Sequence, residues 1–147
     1  MRTHDSELIK STNFFLWVLS ELNKNNPIRI VDDQLSNPTL VDNLSKIIQS
    51  SLEKNLVGIF HTTDISCISR FEFAKTIATK FGYSESLISS ISSKELNQFA
   101  TRPSKTCLDC SKIQKNDINL TTLNESLEIL FSKIQKNEPT LIHKKNF

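Results

Sequence analysis

The sequence predicts an α/β fold with an incomplete sheet, and three observations predict it. Four amphipathic helices announce themselves by period and by cap. They alternate with short apolar strands in the order helix, strand, helix, strand, helix, then mixed short elements and a closing helix. Only two strands are convincing, and two strands among four helices make a poor free-standing sheet. Parallel strands joined by a helical crossover are therefore expected, with neighbours supplied from outside the chain.

The first helix is predicted over Ser11 to Asn23, with Phe15, Val18, Leu19 and Leu22 on one face and Phe14 and Trp17 widening the stripe. Asn25-Asn26-Pro27 ends it, because proline cannot continue a helix and restricts the residue before it. Ile28 to Val31 reads as a strand, and Asp32 to Pro38 as a loop. Thr39 with Asp42 three residues on resembles a capping box for a second helix, with Leu40, Leu44, Ile47, Ile48 and Leu52 as its buried face. Leu56 to His61 reads as the second strand, ending on a core histidine. Ser69 and Glu72 cap a third helix that buries Phe73, Ala74, Ile77 and Phe81 and stops at Gly82. Ser92 with Glu95 marks a short helix, and Ala100 to Asp109 is loop or extended chain. Thr122 with Glu125 opens the last helix, with Leu123, Leu127, Leu130, Phe131 and Ile134 on one face.

Residues 1–147 read as a single region, with 37% hydrophobic and 23% charged residues, enough for a modest core. A net charge of +2 leaves no nucleic-acid footprint, and the Lys144-Lys145 pair is a solvated tail. The longest apolar run, Phe14 to Leu19, is too short to span a bilayer, so no membrane is expected. Three cysteines, Cys67, Cys107 and Cys110, make no disulfide framework, and a cytoplasmic, reducing compartment is expected. Cys107 and Cys110 have the C-x-x-C spacing, but no second ligand pair of matching spacing accompanies them, and no metal is expected; they read as two small buried residues. Only Gly58 and Gly82 are present, so the chain holds no Gly-rich phosphate loop.

Asp32-Asp33-Gln34 with Pro38-Thr39, lying between a strand and an amphipathic helix, resembles the dTDP-4-dehydrorhamnose reductase family of extended short-chain dehydrogenases. Arg2-Thr3, Asn13-Phe14, Gly58-Ile59-Phe60-His61 and Arg102-Pro103 with Leu108-Asp109 resemble further family segments in the same order, covering about residues 2 to 130. The resemblance implies the C-terminal portion of a Rossmann-type fold, with the N-terminal dinucleotide-binding half absent. That half carries the Gly-rich loop and a Tyr-x-x-x-Lys pair, in which tyrosine is the general acid. Here the only tyrosine is Tyr83, and the residue four later is Leu87, so no catalytic residue is expected. Asp5 stands where the family usually has an aromatic residue near the sugar. The same family includes the regulatory β subunit of methionine adenosyltransferase.

The resemblance implies substrate-binding roles for Asn13, Asp33, Gln34, Thr39 and Arg102. Each has a plainer reading. Asn13 equally suits a helix cap, Asp33 and Gln34 equally suit satisfying loop backbone groups, and Thr39 suits a cap better than a ligand contact. Arg102 is the best candidate for ligand contact, since a guanidinium forks onto a diphosphate; its plainer reading is a surface salt bridge. The resemblance thus implies a nucleotide-sugar-binding portion of an NADPH-dependent reductase in dTDP-rhamnose synthesis. Its expected partners are the nucleotide-sugar and either a Rossmann-half chain or a second copy. A non-catalytic regulatory module and an inactive gene fragment are the alternatives.

Overall fold

The structure, a computed structural model, describes residues 13–96 and 100–137. Arg2-Thr3, His4, Asp5, His143 and Lys144-Lys145 lie outside the described residues. Helix α1 (Phe14–Asn23) starts where the Asn13 carboxamide accepts the Leu16 N–H at 2.9 Å. It stops where Asn25 turns to φ 57° just before Pro27. Strand β1 (Ile28–Val31) follows, at the predicted bounds. Its neighbour is not the Leu56 to His61 segment but β4 (Ile88–Ile91), paired in parallel from Ile28 against Ile88 to Val31 against Ile91. The crossover between them contains two helices, α2 (Val41–Glu53) and α3 (Arg70–Phe81).

A second, smaller ladder pairs β2 (Leu35–Ser36) with β3 (Ile68–Ser69), antiparallel. Lys105 bridges the other side of Leu35, so the Ala100 to Asp109 segment runs as an extended rail beside β2. Short α4 (Ser111–Gln114) and the closing α5 (Leu123–Asn137) complete the chain.

The main core is where α1, α3 and α5 meet the β1–β4 pair. Val18, Leu22, Ile77 and Leu127 are wholly or almost wholly buried there. Each such side chain contributes about 1.5–3 kcal/mol relative to its exposed state. Phe81 locks the three helices together, edge-on to Phe15 at 5.6 Å and to Phe131 at 5.2 Å between ring centroids. Three capping boxes hold helix starts in register: Ser69 with Glu72, Ser92 with Glu95, and Thr122 with Glu125. Gly82 takes φ 76° as the left-handed end of α3.

Several sequence expectations are corrected. Residues 56–61 form no strand. No neighbouring backbone among the described residues pairs with them, and Val57 and Ile59 are 92% and 82% exposed. His61 is accordingly exposed rather than a core residue. Thr39 does not cap α2. Leu40 occupies that position without a side-chain bond, while the Thr39 hydroxyl donates to the Asn37 carbonyl at 3.0 Å and accepts the Asp64 N–H at 3.2 Å. Ile48 and Leu52 of α2 face outward, because the buried stripe of that helix runs through Asn43 and Ile47.

Two cysteines are disulfide-bonded after all. Cys67, preceding β3, joins Cys107 on the rail beside β2, with Cα atoms 5.7 Å apart. Cys110 alone is a free buried thiol, packed with Ile47, Ile113 and Ile118 in a second small core. Between the two cores lies Asp64, wholly buried, whose carboxylate accepts from the Thr121 and Ser126 hydroxyls. The Asn43 carboxamide donates to the same two hydroxyls at 2.8 and 2.9 Å. This network ties α2 to α5 with polar groups that are satisfied, the condition under which burying them is tolerable.

A candidate anion-binding pocket built on three extended segments

The β3–β2–rail arrangement brings three distant stretches to one place. Gln34 and Ser36 come from β2 and its approach, Arg70 from the first turn of α3, and Arg102, Pro103 and Thr106 from the rail. Together they line a cavity of about 130 Å³. Three backbone and side-chain bonds set the rail against β2. The Leu35 N–H donates to the Ser104 carbonyl at 2.8 Å, the Thr106 N–H to the Leu35 carbonyl at 2.9 Å, and the Leu108 N–H to the Asn37 carboxamide at 2.9 Å.

The electrostatics of the pocket are one-signed. Neither Arg70 nor Arg102 has a carboxylate partner among the described residues. Arg70 lies over the Phe14 ring at 5.6 Å. Burial, and after it the neighbouring Arg102 charge, push the Arg70 guanidinium below its ordinary value. Gln34 is 7% exposed, and its amide Nε2 is buried without a hydrogen-bond partner among the described residues. An unmade bond at a buried amide costs about 1–3 kcal/mol. Two guanidinium groups and an orphaned N–H₂ donor on one small cavity are donors of the kind that suit an oxyanion with several acceptor oxygens.

Of the residues that the resemblance nominated, Gln34 and Arg102 meet here. Asp33 faces the other way. Its carboxylate accepts the Ser93 N–H at 2.9 Å and the Ser92 and Ser93 hydroxyls at 3.1 and 2.9 Å. The Ser93 backbone N–H first, and then its hydroxyl, hold that carboxyl below its ordinary range. Asn13 and Thr39 line a different, more apolar cavity of about 450 Å³ with Phe14, Phe73 and Leu127. Arg70 escaped sequence reasoning because the first residue of a capped helix reads as solvent-facing. The signal available was its place directly after the Ser69 cap, on an element that returns to the Asp33-Gln34 loop.

The residues present do not fit a dinucleotide. Gly58 is exposed on the unpaired segment and Gly82 ends a helix, so no glycine cluster cradles a phosphate. Burial raises the Tyr83 phenol above its ordinary value, away from what a general acid near neutral pH needs.

The fold is an α/β domain whose rail and β2 enclose a small cavity lined by two arginines. The chain belongs to the RmlD substrate binding domain family, whose profile matches residues 7–136. It is 30% identical over 115 residues to dTDP-4-dehydrorhamnose reductase of Aggregatibacter actinomycetemcomitans, spanning 70% of this chain and 39% of that protein. Among solved structures, it resembles the Bacillus anthracis dTDP-4-dehydrorhamnose reductase determined in complex with NADP. The TM-score there is 0.77 and the identity 25%, over 84% of this chain and 44% of that one. The Clostridium acetobutylicum counterpart matches in fold with a TM-score of 0.78 at 20% identity, covering 86% of this chain and 45% of that one. The chain therefore spans less than half the length of these relatives, and the fold is the C-terminal part of theirs.

Proposed function

We propose that this chain is the nucleotide-sugar-binding portion of a dTDP-4-dehydrorhamnose reductase-like, NADPH-dependent oxidoreductase of dTDP-rhamnose synthesis. Its ligand is dTDP-4-dehydro-6-deoxy-L-mannose. The observation that carries the reading is the pocket itself: Arg70, Arg102 and the orphaned Gln34 amide, unneutralised, inside a substrate-binding family domain. The diphosphate lies between the guanidinium groups and accepts from Gln34. The sugar is thereby oriented for hydride delivery by groups that this chain does not supply, a contribution of positioning rather than chemistry. Phe14, over which Arg70 lies, also lines the apolar cavity of Asn13 and Thr39, which supports that cavity as the place for the rest of the ligand.

The dinucleotide site and the tyrosine acid come from a Rossmann half. Exposed apolar residues concentrate between Val41 and Ile59, which supports a protein partner for that face, a Rossmann-half chain or a second copy. No helix among the described residues is long and apolar enough to cross a membrane, and the compartment that goes with this reading is the cytoplasm.

The test is thermal unfolding of the purified chain with dTDP-rhamnose or dTDP. At a hundredfold excess over its dissociation constant, a ligand specific for the folded state adds about 2.7 kcal/mol of stability. The midpoint is expected to rise for the native chain and to lose most of that rise in Arg102→Ala. A cooperative transition indifferent to both ligands overturns the reading.

A further inference from the structure

The two arginines of the pocket sit on arms that share nothing in sequence, yet one covalent bond joins the arms. Cys67 precedes Arg70 by three residues, and Cys107 follows Arg102 by five. The bond closes a separation of 40 residues across β2, beside Asn37, whose carboxamide receives the rail at Leu108. We propose that the Cys67–Cys107 bond is a redox-responsive clamp that holds Arg102 against Arg70 and so sets the anion affinity of the pocket. The proposal rests on the reading of that pocket as a diphosphate site and adds its regulation.

Three observations carry it. First, residues 100–106 are exposed throughout, so no side chain within that stretch is buried. Segments without buried contacts open at low cost. Second, the clamp opposes a repulsion: two cations face one cavity with no carboxylate between them among the described residues, and an untied arm swings outward. The other hydrogen bonds that tie the rail to β2 among the described residues are those of Leu35 with Ser104 and Thr106, the Thr106 hydroxyl included, and the Leu108 bond to Asn37. Third, the disulfide is within reach of solution. Cys67 is exposed and Cys107 half-buried, whereas Cys110 is buried and unbonded.

The chemistry is thiol–disulfide exchange. A dithiol reductant attacks one sulfur, the mixed disulfide resolves as the second reductant thiol displaces it, and the pair accepts two electrons and two protons while the reductant becomes a cyclic disulfide. Oxidised glutathione reverses the exchange through a mixed disulfide, releasing two equivalents of reduced glutathione. In a reducing compartment such a bond is transient and responsive rather than a permanent staple.

Calorimetric titration of the full chain with inorganic pyrophosphate at fixed salt tests the clamp. Thiol counting first establishes the states, with one free thiol expected in the oxidised chain and three after reduction. Oxidised chain is expected to bind pyrophosphate, with Arg70→Ala and Arg102→Ala each weakening it. If the closed arm falls to about a tenth of the population on reduction, the dissociation constant rises about tenfold. The double variant Cys67→Ser/Cys107→Ser is expected to match the reduced chain whether or not reductant is present. Circular dichroism is expected to show the helices retained throughout. No binding by the oxidised chain, or binding indifferent to both arginines, overturns the diphosphate reading and the clamp together. Binding through both arginines that reduction leaves within twofold overturns the clamp alone. So do three free thiols in the oxidised chain, or loss of the helices on reduction, since the bond would then be absent or would hold the whole fold.

Discussion

Asp33 and Gln34 are adjacent in sequence and opposite in assignment. Asp33 lies in the bend after β1 and turns to the Ser92–Ser93 turn, while Gln34, on the approach to β2, lines the arginine pocket. The sequence shows both residues as polar loop positions; only the tertiary course of the chain decides which of them is satisfied. Asp33 is satisfied by donors that favour its charged form, and this has a consequence for acid stability. Its folded carboxyl lies below the ordinary value of about 3.9, so its contribution is complete above that pH and is lost as pH falls through the folded value. The thermal midpoint is therefore expected to drop more steeply below about pH 4 in the native chain than in Asp33→Asn, which has no charge to lose. Parallel curves for the two chains over the acid range would show that the Ser93 contacts do not depend on the charge.

Among the elements, those defined by local chemistry were legible and those defined by distant pairing were not. The Ser69–Glu72 and Ser92–Glu95 boxes and the Gly82 terminus stand where their spacing puts them, because each is closed within four residues. β4 was not legible. Ile88-Ser89-Ser90-Ile91 buries only its two ends, so it carries no alternation, and it becomes a strand because β1 lies alongside. The converse holds at residues 56–61, which have strand composition but pair with no strand among the described residues. Thr39 with Asp42 had the box spacing but not the box, since the Thr39 hydroxyl is spent on Asn37 and Asp64. The capping box at α3 supports the pocket as well as the helix, because Arg70 is the residue it places. Ser69→Ala is expected to destabilise the chain by about 1 kcal/mol in denaturant titration. It is also expected to weaken pyrophosphate binding, because the first turn of α3 frays. A stability loss with unchanged binding would show that β3 alone positions Arg70.

At the scale of the whole molecule, the two cores meet through polar groups rather than a continuous apolar layer. The main core lies under α1, α3 and α5, the smaller one under α2 and α4, and the Asn43–Asp64–Thr121–Ser126 network joins them. The Cys67–Cys107 bond is a second long-range tie, and it fixes the rail to β3 on the far side of β2. Nothing in the cysteine spacing distinguishes this pairing from the C-x-x-C alternative; folding does, by bringing the Cα atoms to 5.7 Å. Because the bond closes a long stretch of chain, its thermodynamic effect falls mainly on the unfolded state. The chain-entropy treatment of a 40-residue separation gives about 4 kcal/mol at 25 °C. Denaturant unfolding of the oxidised chain against Cys67→Ser/Cys107→Ser is expected to show a loss of that order, with a larger m-value in the variant as its unfolded chain expands. The same loss confined to reduced native chain, and absent from the variant, would mean that serine restores by hydrogen bonding what the disulfide supplies by connection. A loss well under 1 kcal/mol in both would place the tie in the folded state alone, where it orders the arginine arm without stabilising the fold.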